Sequence, residues 1–151
     1  MKKQLQNILI ITIIFGLLDQ LTKLYARLHF IVPFEIIPDF FSLNYRENYG
    51  IAFSIDIPRF LIIFLTYIFL FFGIYLAYKE LNIHKKTSQI LLGLIIGGSI
   101  GNLIDRSTYG YVIDFIDIWR WPVFNLADMG IVIGILGIIL FYGKIKRTNN
   151  K

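Results

Sequence analysis

The stretch FNLADMGIVIGILGIILFYG, residues 124–143, is a nearly unbroken apolar run that carries a carboxylate, Asp128, close to its start. At a rise of 1.5 Å per residue, a helix of this length can cross a hydrocarbon core of about 30 Å. An ionised carboxylate inside such a core costs at least about 2–3 kcal/mol unless it faces a polar cavity. The helix dipole offsets at most about 1–2 kcal/mol of that cost near the N-terminus. The sequence therefore predicts a membrane helix in which Asp128 has polar partners.

Three further apolar segments predict that the chain crosses a membrane four times. The helices are expected at roughly 7–26, 59–78, 89–106 and 123–143, with extracytoplasmic connections at 27–58 and 107–122, in a single membrane domain of residues 1–151. Hydrophobic residues make up 56% of the chain and charged residues 17%, and the mean hydropathy is +0.66, as is typical of an integral membrane protein. In the first connection, aromatic and β-branched runs interrupted by Pro38 and Gly50 predict a small β-like platform. The expected fold class is mainly α and polytopic, with four transmembrane helices and this platform.

The distribution of positive charge predicts the orientation of the helices. Nine of the fifteen Lys and Arg residues lie at the two termini and beside the connection between the second and third helices. By the positive-inside rule this side, including both termini, is cytoplasmic. Because these cations flank apolar segments, the net charge of +5 suits membrane lipids, and no nucleic acid partner is expected.

Cysteine is absent from the sequence, which excludes disulfides, thiol nucleophiles and thiolate-bound metals. The only histidines, His29 and His84, are predicted on opposite sides of the membrane, so no metal or organic cofactor is implied. Any chemistry must come from other side chains.

Five polar motifs lie at the predicted outer helix ends or in the outer connections: DQLTK (19–23), NYGIAFS (48–54), GGSIGNLIDR (97–106), VIDFID (112–117) and FNLAD (124–128). In the first motif, Asp19 precedes Lys23 by four residues, which favours an ion pair on one helix face. A purely structural pair is the alternative. In the second, Asn48 offers donors and an acceptor beside the small Gly50, and an ordinary turn explains this motif equally well.

The third motif belongs to a stripe of small residues, in which Gly93, Gly97 and Gly101 recur every four positions. Such a stripe predicts a face along which another helix approaches closely. Asn102 and Arg106 lie four residues apart at the end of the same helix, where they can serve a site. Snorkelling of Arg106 to the interface is the alternative.

The last two motifs place carboxylates on either side of a turn. Only thirteen residues separate Asp114 from Asp128, and Asn125 shares a face with Asp128 if the last helix begins near Val123. Two carboxylates brought together in a poorly solvated place share a proton near neutral pH. The ionised member can then activate water while the protonated member polarises a carbonyl, as in aspartic proteases.

Taken together and in this order, the five motifs resemble those of the lipoprotein signal peptidases, also called signal peptidase II. The resemblance implies an aspartyl endopeptidase of the bacterial cytoplasmic (inner) membrane that removes signal peptides from prolipoproteins, cutting before the diacylglyceryl-modified cysteine near the outer leaflet. It implies that Asp114 and Asp128 are the catalytic pair. The supporting positions that it implies around the site are Asp19, Lys23, Asn48, Gly50, Asn102, Arg106, Asn125 and Ala127. The expected partners are the modified prolipoprotein and membrane lipids, and a monomer is expected.

Two other classes of membrane protein remain as alternatives. A small proton-coupled transporter needs membrane carboxylates, but it usually has polar groups near the midplane, and the inner half of the last helix (131–143) has none there. A membrane assembly subunit would use the glycine stripe, but it would not need Asp114, Asn125 and Asp128 near one another.

Overall fold

A computed structural model describes residues 1–50 and 58–147 of the chain. Residues 51–54 of the NYGIAFS motif therefore lie outside the described residues. The helices are α1 (Lys2–His29), α2 (Arg59–Glu80), α3 (Lys86–Thr108) and α4 (Leu126–Ile145), and the strands are β1 (Phe34–Ile37), β2 (Phe41–Asn48) and β3 (Val112–Ile118). All four of these helices are long and apolar enough to cross a membrane. The predicted mainly α, polytopic fold class is confirmed.

The helix ends differ from those predicted, because local hydrogen bonds set them rather than hydrophobicity. α1 runs beyond the predicted 7–26 at both ends, since backbone hydrogen bonding continues through its polar first and last turns. The prediction that the last helix begins near Val123 is wrong: α4 begins at Leu126, and Asn125 is its N-cap. Asp128 is thus the third residue of the helix, and Asn125 stands just before it.

Small residues allow α1, α3 and α4 to pack closely. A Cβ atom on Gly97 would lie 2.8 Å from the carbonyl oxygen of Thr12 in α1, and one on Gly98 would collide with the carbonyl oxygen of Ala127 in α4. The close approach predicted from the glycine stripe therefore exists towards α1, and Gly98 allows a second one, towards α4, that was not predicted. We call α1, α3 and α4 the three-helix unit. In α2, by contrast, the buried residues are Ile62 and Ala77.

The strands form an antiparallel sheet in the order β1-β2-β3 at one end of the helices, which we call the sheet end. β1 and β2 lie in the first connection, where the small β-like platform was predicted. β3 lies in the second connection, where no strand was predicted. The register places Arg46 opposite Asp114 and Asn48 opposite Val112. A buried apolar cluster closes the opposite end, where Ala77 and Leu81 pack with residues of α1, α3 and α4.

Candidate active site

Asp114 and Asp128 come together at the sheet end, and Asn125 connects them through its side chain and its backbone N–H. Asn125 Nδ2 donates to Asp114 Oδ1 at 2.6 Å, while the backbone N–H of Asn125 donates to Asp128 Oδ2 at 3.3 Å. Asp114 projects from β3 with 2% of its surface exposed, and Asn125 is fully buried. The structure thus joins the two carboxylates that the sequence singled out.

The start of α4 explains why Asn125 holds this position. Its Oδ1 accepts from the backbone N–H of Asp128 at 2.9 Å, and the Asp128 carboxylate accepts in return from the Asn125 backbone, so the two residues form a capping box. Because Oδ1 is committed to the helix N-terminus, Nδ2 must point the other way, towards Asp114. The Asn125 side chain therefore caps the helix with its oxygen and holds Asp114 with its nitrogen, while the backbone N–H of the same residue holds Asp128.

Two further amides donate to the carboxylates. Asn48, at the end of β2, donates Nδ2 to Asp114 Oδ2 at 2.8 Å, while its Oδ1 accepts from the Gly50 backbone at 3.1 Å. Asn102, on α3, donates Nδ2 to Asp128 Oδ1 at 2.8 Å. Each carboxylate therefore accepts from amides on two different elements, which fixes its orientation.

Burial and charge shift the proton equilibrium of Asp114. Removal from water and the nearby charge of Asp128 raise the pKa of Asp114 to about 7, against the lowering effect of the Asn48 and Asn125 hydrogen bonds. The carboxyl of Asp114 therefore exchanges its proton near neutral pH.

The spacing that predicted an ion pair in DQLTK is matched by a contact. Lys23 Nζ lies 2.8 Å from Asp19 Oδ2. Asp19 Oδ1 in turn accepts from the backbone N–H of Ala127 at 2.8 Å, and Ala127 is fully buried. This pair braces α1 against the start of α4 rather than facing the cleft.

Asp105 and Gln20, to which the sequence assigned no role in the site, complete the buried polar network. Lys23 Nζ is 2.9 Å from Asp105 Oδ2, and Gln20 Nε2 donates to Asp105 Oδ1 at 2.9 Å. The signal for Asp105 was present, because the four-residue stripe through Gly97 and Gly101 continues to position 105 and so faces α1. No comparable signal marked Gln20.

Arg106, in the last turn of α3, lies beside the two carboxylates. Its Nη2 donates to the carbonyl oxygen of Gly50 at 3.2 Å, and its guanidinium is close enough to Asp114 and Asp128 to interact with their charges. The remaining sequence-predicted residues, Gly50 and Ala127, thus take part through backbone groups.

A cleft of about 640 Å³ opens onto the two carboxylates. Its walls combine polar groups of the network with apolar side chains of the segment before α4 and of α4 itself. The lining includes Asn48, Arg106, Asp114, Trp121, Pro122, Phe124, Asp128 and Ile131. An apolar chain can pack along one wall while a polar bond reaches the carboxylates.

Comparisons with known proteins assign the family. Residues 10–143 match the family model described as signal peptidase (SPase) II. The chain is 43% identical to the lipoprotein signal peptidase of Halothermothrix orenii, over 87% of this chain and 92% of that protein, and 40% identical to that of Moorella thermoacetica, over 79% and 81%. A bacterial membrane enzyme solved by the in meso method at 2.3 Å resolution is similar in fold, with a TM-score of 0.79 and 30% identity over 91% of this chain and 87% of that one. The chain therefore belongs to the signal peptidase II family and is a multi-pass bacterial membrane protease.

Proposed function

We propose that this protein removes signal peptides from bacterial prolipoproteins by cutting the bond before a diacylglyceryl-modified cysteine, with Asp114 and Asp128 as the catalytic pair. The observation that carries the proposal is the placement of both carboxylates on Asn125 at the cleft. The relatives named as lipoprotein signal peptidases support the substrate class. The transporter and assembly-subunit alternatives are not favoured, since neither accounts for these relatives.

The two aspartates divide the work of hydrolysis. Asp128 removes a proton from water as the water oxygen attacks the scissile carbonyl carbon, and Asp114 donates its proton to the carbonyl oxygen. When the tetrahedral intermediate collapses, the carbon–nitrogen bond breaks, the proton on Asp128 passes to the cysteine amine, and Asp114 recovers a proton from the hydroxyl. Asp114 is then protonated and Asp128 ionised, as at the start of the reaction. A pKa of about 7 for Asp114 suits the donor role at neutral pH.

The other predicted residues support this pair. The Arg106 guanidinium, which lines the cleft, holds the substrate backbone or a nearby polar group. The Asn102 amide orients Asp128 instead of binding substrate, because its oxygen and nitrogen are engaged by protein groups. Asn48 closes over the cleft from the sheet and steadies Asp114.

In the proposed orientation the sheet end faces outward, the cleft lies near the outer leaflet of the bacterial cytoplasmic membrane, and both termini lie in the cytoplasm. The positive charges at the opposite end of the helices support this orientation. Membrane lipids surround the apolar helix faces. The proposed unit is a monomer with one membrane domain, residues 1–151, since the amides that hold Asp114 and Asp128 belong to the same chain as the two carboxylates.

Cleavage of a diacylglyceryl-modified prolipoprotein by the purified protein in detergent tests the proposal. Asp114→Asn and Asp128→Asn should each lower the rate by at least about 1,000-fold while the protein remains folded. Asp117→Asn is the matched control, because Asp117 lies on the same strand but borders a separate pocket with Glu35 and Asp39. Cleavage that survives in a folded Asp114→Asn or Asp128→Asn variant would make that aspartate structural and reopen the two alternatives.

A further inference from the structure

Three charged side chains are buried between α1 and α3, beneath the proposed catalytic pair. Asp19 is 0% exposed, and Lys23 and Asp105 are each 1% exposed. The Lys23 ammonium lies 2.8 Å from Asp19 Oδ2 and 2.9 Å from Asp105 Oδ2, and it donates to Asn102 Oδ1 at 2.9 Å. An ammonium has three donors, so this geometry uses all of them. Lys23 therefore cannot change direction without abandoning a buried partner.

Asp19 connects this ammonium to the backbone beside one proposed catalytic residue. Its Oδ1 accepts from the backbone N–H of Ala127 at 2.8 Å, and Ala127 immediately precedes Asp128. The carboxylate of Asp19 thus binds Lys23 with one oxygen and the start of α4 with the other.

Asp105 makes the equivalent connection to the other proposed catalytic residue. Its Oδ2, which faces Lys23, also accepts from the backbone N–H of Ile113 at 3.2 Å, and Ile113 immediately precedes Asp114 on β3. Gln20 strengthens the link between the two carboxylates, because its Nε2 donates to Asp105 Oδ1 at 2.9 Å and to Asp19 Oδ2 at 3.3 Å.

Lys23 also decides which end of the Asn102 amide faces Asp128. Only the amide oxygen can accept from an ammonium, and this oxygen accepts from Asn125 Nδ2 at 3.2 Å as well. The Asn102 nitrogen must then face Asp128, to which it donates at 2.8 Å. The reversed amide would set a donor against Lys23 and an acceptor against the carboxylate.

We propose that Asp105 is a positioning residue for the peptidase reaction and that Lys23, by holding Asp19 and Asp105 together, sets the separation of Asp114 and Asp128. The inference rests on the proposed function. None of these three side chains needs to touch the substrate, because each acts through a backbone N–H or an amide adjacent to the catalytic pair.

Replacing Asp105 with Asn tests the positioning role, since an amide would turn donor hydrogens towards Gln20 or towards Lys23 and Ile113. On the modified prolipoprotein, Asp105→Asn should lower kcat at least about tenfold and leave KM within about twofold, because substrate binding is retained while the catalytic geometry is lost. Asn7→Leu is the matched control: it also removes a hydrogen bond between α1 and α3, from Asn7 Nδ2 to Gln89 Oε1, but far from the cleft. The control should keep the kcat of the wild type.

Lys23→Met and the double variant sharpen the test. If both residues act on the same separation, Lys23→Met combined with Asp105→Asn should lose about as much kcat as the worse single variant. Losses that multiply would show independent roles and overturn the inference. So would an Asp105→Asn variant with the kcat of the wild type, or one that changes KM alone.

A milder variant decides the matter if Asp105→Asn does not fold. Gln20→Leu removes the second bridge at a half-buried position and should lower kcat about two- to tenfold with KM unchanged. An unchanged kcat would overturn the inference. Failure of the proposed function is distinguishable, because it would show as no cleavage by the wild type or undiminished cleavage by Asp128→Asn, and it would overturn both.

Discussion

α2 and the three-helix unit differ in how closely their backbones approach their neighbours. Within the unit, a Cβ at Gly98 or Gly101 would collide with Ala127 or Asp19, whereas a Cβ at Gly73 of α2 would meet no described atom within 4 Å. An apolar groove of about 570 Å³ separates much of α2 from α3 and α4. None of the candidate site residues lies in α2. The helices that carry the proposed chemistry are thus fixed by backbone contact, while α2 is attached more loosely.

The largest expected contrast comes from adding one methyl group to each region. Gly98→Ala should push the start of α4 away from α3, lower the free energy of unfolding by about 1–3 kcal/mol and reduce cleavage about 100-fold, because about 1 Å of misplacement is enough for such a loss. Gly73→Ala should keep the activity, and its free energy of unfolding should rise by up to about 1 kcal/mol, because alanine has the higher helix propensity. Thermal unfolding in detergent and kcat/KM check both variants. Equal effects of the two would remove the distinction between the regions.

Asn48 tests whether the sheet belongs functionally to the three-helix unit. Asn48→Ala leaves Asp114 Oδ2 without its 2.8 Å donor, and it should lower kcat about tenfold, as expected for the loss of a buried hydrogen bond to a carboxyl group. Ser42→Ala, on the same strand beside Asp117, is the control and should have no effect. Undiminished turnover of Asn48→Ala would withdraw Asn48 from the site.

The dependence of kcat/KM on pH tests whether Asp114 acts by donating a proton or only by holding the structure of the site. Because the pKa of Asp114 is raised to about 7, its protonated form declines above that pH, and kcat/KM should fall about fivefold between pH 7 and pH 8. The Asn48 hydrogen bond lowers this pKa, so Asn48→Ala should move the alkaline limb to higher pH. A rate profile that stays flat from pH 6 to pH 9 would contradict the donor role of Asp114.

The smallest effect on activity is expected from removing the hydrogen bond that attaches α2 to α3 at the sheet end. Arg59 Nη2 donates to the carbonyl oxygen of Ser107 at 2.7 Å from an exposed position. Arg59→Ala should cost less than about 1 kcal/mol of stability and change kcat by less than about twofold. Lys79→Ala, at the other end of α2, is the comparison variant. A large loss of activity in Arg59→Ala alone would mean that the position of α2 governs the site after all.

The four helices were predictable because bilayer thickness acts on each segment independently, through its length and hydrophobicity. The ion pair between Asp19 and Lys23 was predictable for a similar reason, since both partners lie on one helix. The predicted start of α4 was wrong because the helix begins where the Asn125 side chain caps it, and the hydrophobicity of the segment gives no information about capping. Strand β3 was not predicted because it forms by pairing with β2, which is distant in sequence. Its two carboxylates instead indicated a polar motif.

Long-range contacts account for the rest of the site. Asn48 and Asp114 are 66 residues apart in sequence, and Asp19 and Ala127 are 108 apart. The motifs indicated that these residues belong together, but no spacing within a motif could reveal that Asp19 binds a backbone N–H rather than only Lys23. No role in the site was predicted for Asp105, because an acid at a helix end beside Asn102 and Arg106 is also compatible with solvation at the interface, although its place on the glycine stripe indicated burial.

The capping box at the start of α4 also limits how the protein can change under selection. Asp128 is both a proposed catalytic group and an acceptor in the capping box. Asn125 both caps the helix and donates a hydrogen bond to Asp114. Apart from Asp128→Asn, whose amide oxygen can still accept from the Asn125 backbone, a substitution at either position would lower the free energy of unfolding as well as turnover. An inhibitor whose affinity depends on contacts to these two side chains would therefore leave a bacterium few routes to resistance through mutation of its target.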